Sequence, residues 1–125
     1  MAPANNQHLQ RGKDAEQQAQ RRLQKAGLRL LENNYRVAGG EIDLIMLDGS
    51  ELVFVEVRYR ASSSHGSAAE SVTLSKQRRL IKAAEHYLIN HPENWSGCRF
   101  DVVAFDGGLS KQQMSWLQNA FGLDG

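Results

Sequence analysis

Apolar residues recur at three- and four-residue spacing through Ala15, Ala19, Leu23 and Ala26, and Gly27 supplies a stop, so a helix is predicted from Gly12. Residues 1–11, rich in Asn, Gln and Ala, read as a flexible leader to a single domain over 12–125. Leu28 to Val37 predicts a strand with a kink or bulge at Asn33-Asn34. Gly39-Gly40 opens an apolar strand over Glu41 to Leu47. Asp48-Gly49 is a turn signal, and Leu52 to Tyr59 is dense in β-branched and aromatic residues, which together make a hairpin. After a small-residue loop (Ala61 to Gly66), Thr73 or Ser75 can cap a second helix. Its apolar face is Leu80, Ile81, Ala84, Tyr87 and Leu88, and Asn90 and Pro92 end it. Arg99 to Asp106 is a further strand, and the segment SWLQNAF suits either an edge strand or a helical turn. The order αβββαβ predicts an α/β sandwich, a mixed sheet flanked by helices.

With 125 residues, 41% hydrophobic and 23% charged, one soluble domain is expected. No apolar run approaches the roughly 20 residues of a membrane span, and nothing at the start reads as a secretory signal, so a cytoplasmic location is expected. The single cysteine, Cys98, excludes an intrachain disulfide and a cysteine zinc cage, and the four histidines show no ligand spacing.

The net charge of +1 hides a strong segregation. Residues 1–36 hold seven basic and three acidic side chains, 37–57 hold no basic and five acidic, 58–99 hold seven and three, and 100–125 hold one and three. An acidic island between basic segments suits a carboxylate site for a hard cation with a phosphate grip beside it, or a sheet whose acids pair with neighbouring helices.

Within the island, Asp43 and Glu56 each interrupt an apolar strand, where an unpaired carboxylate costs several kcal/mol. A two-residue hairpin loop at Asp48-Gly49 pairs positions summing to 97, and a loop through Glu51 pairs positions summing to 99. Both sums are odd, so either register puts Asp43 and Glu56 on one face, diagonal in the first and directly opposite in the second. A divalent cation, Mg²⁺ before Mn²⁺, would relieve their repulsion. Glu16 lies on the apolar stripe of the first helix, either as a third acid of that site or as a partner of Arg58 or Arg60. Arg58, two residues after Glu56, shares its face and can bind phosphate or neutralise the acids, but cannot act as a general base. Lys76 sits at the margin of the second helix's apolar face, where its stem can reach toward the acids. Arg78, Arg79, Lys82 and His86 share the outer face, a candidate phosphate rail that Arg60 extends. Tyr59 and His65 are candidate base-stacking residues, Asp101 is expected to pair with a helix Arg or Lys, and Trp95 and Trp116 are read as packing.

Gly12 with Glu16, the segments GEIDLI (40–45) and VFVEVRYR (53–60), Lys76, and RFDVV (99–103) together resemble the YraN family. That family is a bacterial group related to the PD-(D/E)XK nucleases and the archaeal Holliday junction resolvases. The resemblance runs from Gly12 to Phe121. It implies a restriction-endonuclease-like core, Asp43 and Glu56 as metal ligands, Glu16 as a helix-borne acid, and Mg²⁺-dependent hydrolysis of DNA phosphodiesters, branched or structured DNA among the substrates. By the same analogy a homodimer is implied. Such nucleases carry Lys two positions after the Glu; here Arg58 stands there, and Lys76 is the candidate substitute amine. The sequence thus carries three readings: a metal-dependent endonuclease, a non-catalytic nucleic-acid-binding protein that retains the nuclease fold, and a small interaction domain with a buried ion-pair network.

Overall fold

The computed structural model describes residues 4–62 and 66–122. Helix α1 spans Ala4–Lys25, strands β1 to β3 span Arg29–Val37, Gly40–Asp48 and Glu51–Arg60, helix α2 spans Leu74–Asn90, and strands β4 and β5 span Gly97–Asp106 and Met114–Phe121. One five-stranded sheet has the order β1-β2-β3-β4-β5. Only β3 and β4 run parallel, because α2 carries the chain back between them; the other neighbours are antiparallel. The expected mixed sheet flanked by helices is present, with β5 as a further edge strand after a short 3₁₀ turn at Lys111–Gln113.

Each helix covers one face. Ala15, Ala19 and Leu23 of α1 pack on Leu44, Met46, Val53, Val55, Val103 and Phe105, while Leu80, Ala83, Ala84 and Tyr87 of α2 pack on Ile42, Ile45, Leu52, Phe54 and Phe100. Helix α1 begins at Ala4, eight residues ahead of the start expected at Gly12, so residues 4–11 belong to the helix. No Gly or Pro breaks the chain between Pro3 and Gly12, and Ala, Gln and Leu favour helix there. Its end is as expected: Gly27 adopts a φ of 104°, and Leu28 N–H returns to the Leu23 carbonyl at 3.0 Å. Thr73 caps α2, its hydroxyl accepting from the Lys76 N–H at 3.3 Å.

The hairpin takes the 99 register, with Asp48 opposite Glu51 and Leu44 opposite Val55. Gly49 and Ser50 form the turn, and the φ of 63° at Gly49 is what a first turn position of the type II′ kind requires. Gly40 has a different duty. A Cβ there would lie 2.5 Å from the Arg79 carbonyl oxygen and 3.0 Å from the Ala83 nitrogen, so only glycine lets α2 press against the start of β2. The irregularity of β1 is double: the register with β2 slips between Leu30 and Glu32, and Asn34 stands in the left-handed region with a φ of 51°.

Candidate functional site

The β2–β3 ladder stops at Leu44 opposite Val55. Ile42 and Ile45, three positions apart, both enter the core under α2, so the alternation of β2 slips by one around Asp43. Continued in the 99 register, the Val57 N–H would face the carbonyl of Ile42. Instead it donates to the Asp43 carboxylate at 2.8 Å. The side chain thus takes the place of a backbone acceptor, and the strands part where the acids stand. A cleft of about 220 Å³ opens there, lined by Glu16, Glu41, Asp43, Glu56 and Arg58 with Gly12 and Tyr59. Asp43 and Glu56 are brought together, and α1 adds Glu16.

The electrostatics follow from that crowding. Burial pushes the Glu56 carboxyl far above the ordinary carboxylate range, and a hydrogen bond and like charge from Asp43 push it further, against the opposing pull of Arg58. Two carboxyls can share a hydrogen bond only if one keeps a proton. Glu16 is raised to about 7, first by burial and next by the charge of Asp43, with Arg36 opposing. Neither Arg58 nor Arg60 neutralises Glu16 by a direct ion pair among the described residues.

Beyond Glu56 a second cleft of about 330 Å³ is lined by Glu41, Glu56, Arg58, Thr73, Ser75, Lys76 and Arg79. Lys76 does reach the acids' neighbourhood, and its ammonium pKa is lowered by burial and by the nearby charge of Arg58, partly offset by Glu56. Arg58 lines both clefts. Its Nε donates to the Ser71 hydroxyl at 2.8 Å, and that hydroxyl donates to the Ala68 carbonyl at 2.5 Å. The Ala68 N–H in turn reaches the Asp106 carboxylate at 2.7 Å. The guanidinium is thus held from behind by the segment that precedes α2. Arg58 and Arg60 both act electrostatically on Lys76.

The other expected residues scatter. Arg79 lines the second cleft and meets Glu41 at 3.8 Å; Arg78 is exposed and lines neither cleft. Lys82 lies beside Gly39 in a shallow groove with Arg36, His86 and Ile89, so the rail on α2 divides between two flanks. His86 Nδ1 meets the Tyr35 hydroxyl at 2.5 Å. Tyr59 packs against the core under α1 at the cleft wall, a half-buried place that leaves little ring for stacking; His65 lies outside the described residues. Asp101 pairs not with a helix but with Arg99, two residues back on its own strand, at 3.0 Å. It also accepts from Trp116 Nε1 and from the Asn119 N–H, both at 2.9 Å. Strand alternation puts residues two apart on one face, so Arg99 could have been found; the β5 donors are set by tertiary pairing. Trp95 and Trp116 do pack on the two cores, each also donating its indole N–H. Sequence reasoning gave no site role to Glu41 or Ser71 and took Asn34 only as part of a kink. Glu41, next to the tight Gly40, was signalled by its place in the acidic island and in the GEIDLI segment.

The profile described as "Uncharacterised protein family UPF0102" matches residues 15–105. A UPF0102 protein of Dechloromonas aromatica (strain RCB) is 48% identical over 97% of this chain and 96% of its own. One of Aeromonas hydrophila subsp. hydrophila is 52% identical over 96% and 86%, and one of Pseudomonas fluorescens (strain Pf0-1) 52% over 91% and 94%. Identity at this level over almost the whole length leaves one assignment: the chain belongs to the UPF0102 (YraN) family.

Proposed function

We propose that this protein is a divalent-cation-dependent endonuclease that hydrolyses DNA phosphodiesters, with branched or otherwise structured DNA as the substrate class. The observation that carries the reading is the meeting of Asp43 and Glu56 in one cleft, with Glu16 at its wall and Arg58, Lys76 and Arg79 in the cleft beside it. The donor chemistry fits Mg²⁺ or Mn²⁺: all-oxygen, anionic, and so crowded that one carboxyl retains a proton which a cation would displace. Among the described residues no three Asp, Glu, His or Cys side chains converge into a full cage. That suits an ion which keeps several waters and rests on one or two carboxylates, here Asp43 and Glu56.

Such an ion, when bound, supplies Lewis-acid stabilisation of the phosphate and makes water a better nucleophile. The chain's own groups do the rest. Asp43 is fixed by the Val57 N–H, so its free carboxylate oxygen has one direction. Arg58, anchored through Nε to Ser71, presents its terminal nitrogens to a phosphate oxygen. The Lys76 amine, more easily neutral than an ordinary lysine, takes a proton from the attacking water as its oxygen bonds to phosphorus; the P–O bond to the sugar breaks, and the sugar oxygen leaves with the electron pair and takes a proton from solvent. Arg79 adds positive charge to the phosphate path, whereas Lys82 and Arg78 serve only a longer duplex contact.

A second reading, binding without cutting, is favoured by Arg58 itself, which occupies the lysine position of related nucleases and cannot exchange a proton. The ion-pair-network reading has less support, since no direct ion pair joins Arg58 to Asp43 or Glu56 among the described residues. The test is incubation with plasmid, single-stranded and four-way-junction DNA in Mg²⁺ and in Mn²⁺. Products that vanish in Glu56→Ala support hydrolysis; metal-dependent binding with no product on any substrate leaves the second reading.

A further inference from the structure

Glu16 has two sides. One faces the acidic cleft, and the other borders a separate groove of about 180 Å³ between α1 and β1. That groove is lined by four carboxamides, Gln17 and Gln20 from α1 and Asn33 and Asn34 from β1, with the buried Leu44 behind them. Its other charged group besides Glu16 is Lys13. The composition contrasts with the cationic cleft on the opposite side of Glu56, where Arg58, Lys76 and Arg79 gather. Nothing in the phosphate chemistry calls for amides. An amide carries a donor and an acceptor in one plane; a phosphate can use only the donor, whereas a nucleobase edge can use both.

Backbone geometry adds a second observation. Asn34 holds a φ of 51°, a conformation that non-glycine residues adopt at a cost, and it lies in the strand just where the β2 alternation slips at Asp43. It lines the groove beside Glu16. The groove and the acidic cleft thus share Glu16 as a common wall.

We propose that the groove is a nucleobase subsite that receives an unpaired base next to the reacting phosphate, with adenine preferred. Asn and Gln match the paired acceptor and donor of adenine in bidentate fashion. A base can enter only if it is unpaired or flipped out, which accounts for selection of structured over plain duplex DNA. This inference rests on the nuclease reading and specifies its substrate.

The test uses the full chain in Ca²⁺, with equilibrium binding of labelled oligonucleotides that carry one unpaired A, C, G or T, or an abasic site, in otherwise identical duplexes. Adenine should bind tightest. Gln17→Ala/Gln20→Ala should weaken the adenine oligonucleotide by about tenfold, as loss of one bidentate contact does, and leave the abasic one unchanged. Asn33→Ala, on the facing strand, provides an independent variant. If the variants weaken every oligonucleotide equally, the abasic one included, or if the base preference survives them, the subsite is wrong while the nuclease reading stands. If the wild-type protein binds none of the oligonucleotides, both fall together.

Discussion

Val57 donates its backbone N–H to the side chain of Asp43 across a gap where two strands have stopped pairing. The carboxylate therefore has two duties, one in the sheet and one in the cleft, and substitutions separate them. Asp43→Asn keeps an acceptor and removes the charge that crowds Glu56, so its melting temperature without cation should equal or exceed that of the wild type. Mg²⁺ should no longer raise it. Asp43→Ala also strands the Val57 N–H and should cost about 1–3 kcal/mol. Thermal melts with and without cation read both effects, and a full Mg²⁺ response in either variant would remove Asp43 from the metal site.

Stability should fall as pH rises through the neutral range. The Glu16 carboxyl is raised to about 7 in the folded protein from its ordinary value of 4.5, so the folded state holds a proton that the unfolded chain gives up first. The associated stability is complete below about pH 4.5 and is lost as pH passes 7; Glu56, also raised, extends the decline in the same direction. For a half-exposed group the effect is discounted to about 1 kcal/mol, or roughly 3–5 °C in melting temperature. Glu16→Gln should flatten the profile between pH 5 and 8 by about that amount, as melts across the range would show. Mg²⁺ should stabilise the wild type more at the alkaline end, where the acids are ionised.

Arg58 should behave as a phosphate contact. Its replacement by Ala should weaken DNA binding and lower the salt slope by about one. Lysine at this position restores an exchangeable proton, and increased cutting by Arg58→Lys would show that the arginine limits turnover. Ser71→Ala frees the guanidinium from behind and should give a smaller loss of binding with unchanged stability toward cation; a folding defect with intact DNA affinity in Arg58→Ala would mark the arginine as structural.

Gly40→Ala forces a Cβ against the backbone of α2 and should cost about 1–3 kcal/mol, a fall of roughly 3–15 °C. Gly12→Ala meets open space, though a helix-compatible change there should raise stability slightly. The pair, compared by thermal melting, distinguishes a glycine needed for close approach from one that is not.

How much of this was legible beforehand depended on range. Local rules gave the α1 stripe, the stop at Gly27, the cap choice near Thr73 and the two hairpin registers, because each is decided within a few residues. The choice between registers, and the side-chain insertion at Asp43, belong to the contact of three strands and could not be read from spacing alone. The slip near Leu31 was missed because an apolar residue gives no bulge signal, whereas Asn34 did mark a kink. Asp101 was recognised as structural, but its partners were misplaced, since Trp116 and Asn119 arrive from a strand whose existence was itself undecided. Ser71 was not found at all: a serine in a polar loop looks like any other until a guanidinium is seen resting on it.

The last strand has a consequence of its own. Trp116 and Asn119 both donate to Asp101, which is completely shielded from solvent, and Arg99 supplies its countercharge. Peeling that ribbon away would strip a shielded anion of two donors, so β5 clings to the sheet more firmly than its largely exposed side chains alone would make it. An outermost strand, ordinarily the first to fray or to be exchanged between molecules, is here latched, and amide exchange along it should be as slow as in the centre of the sheet.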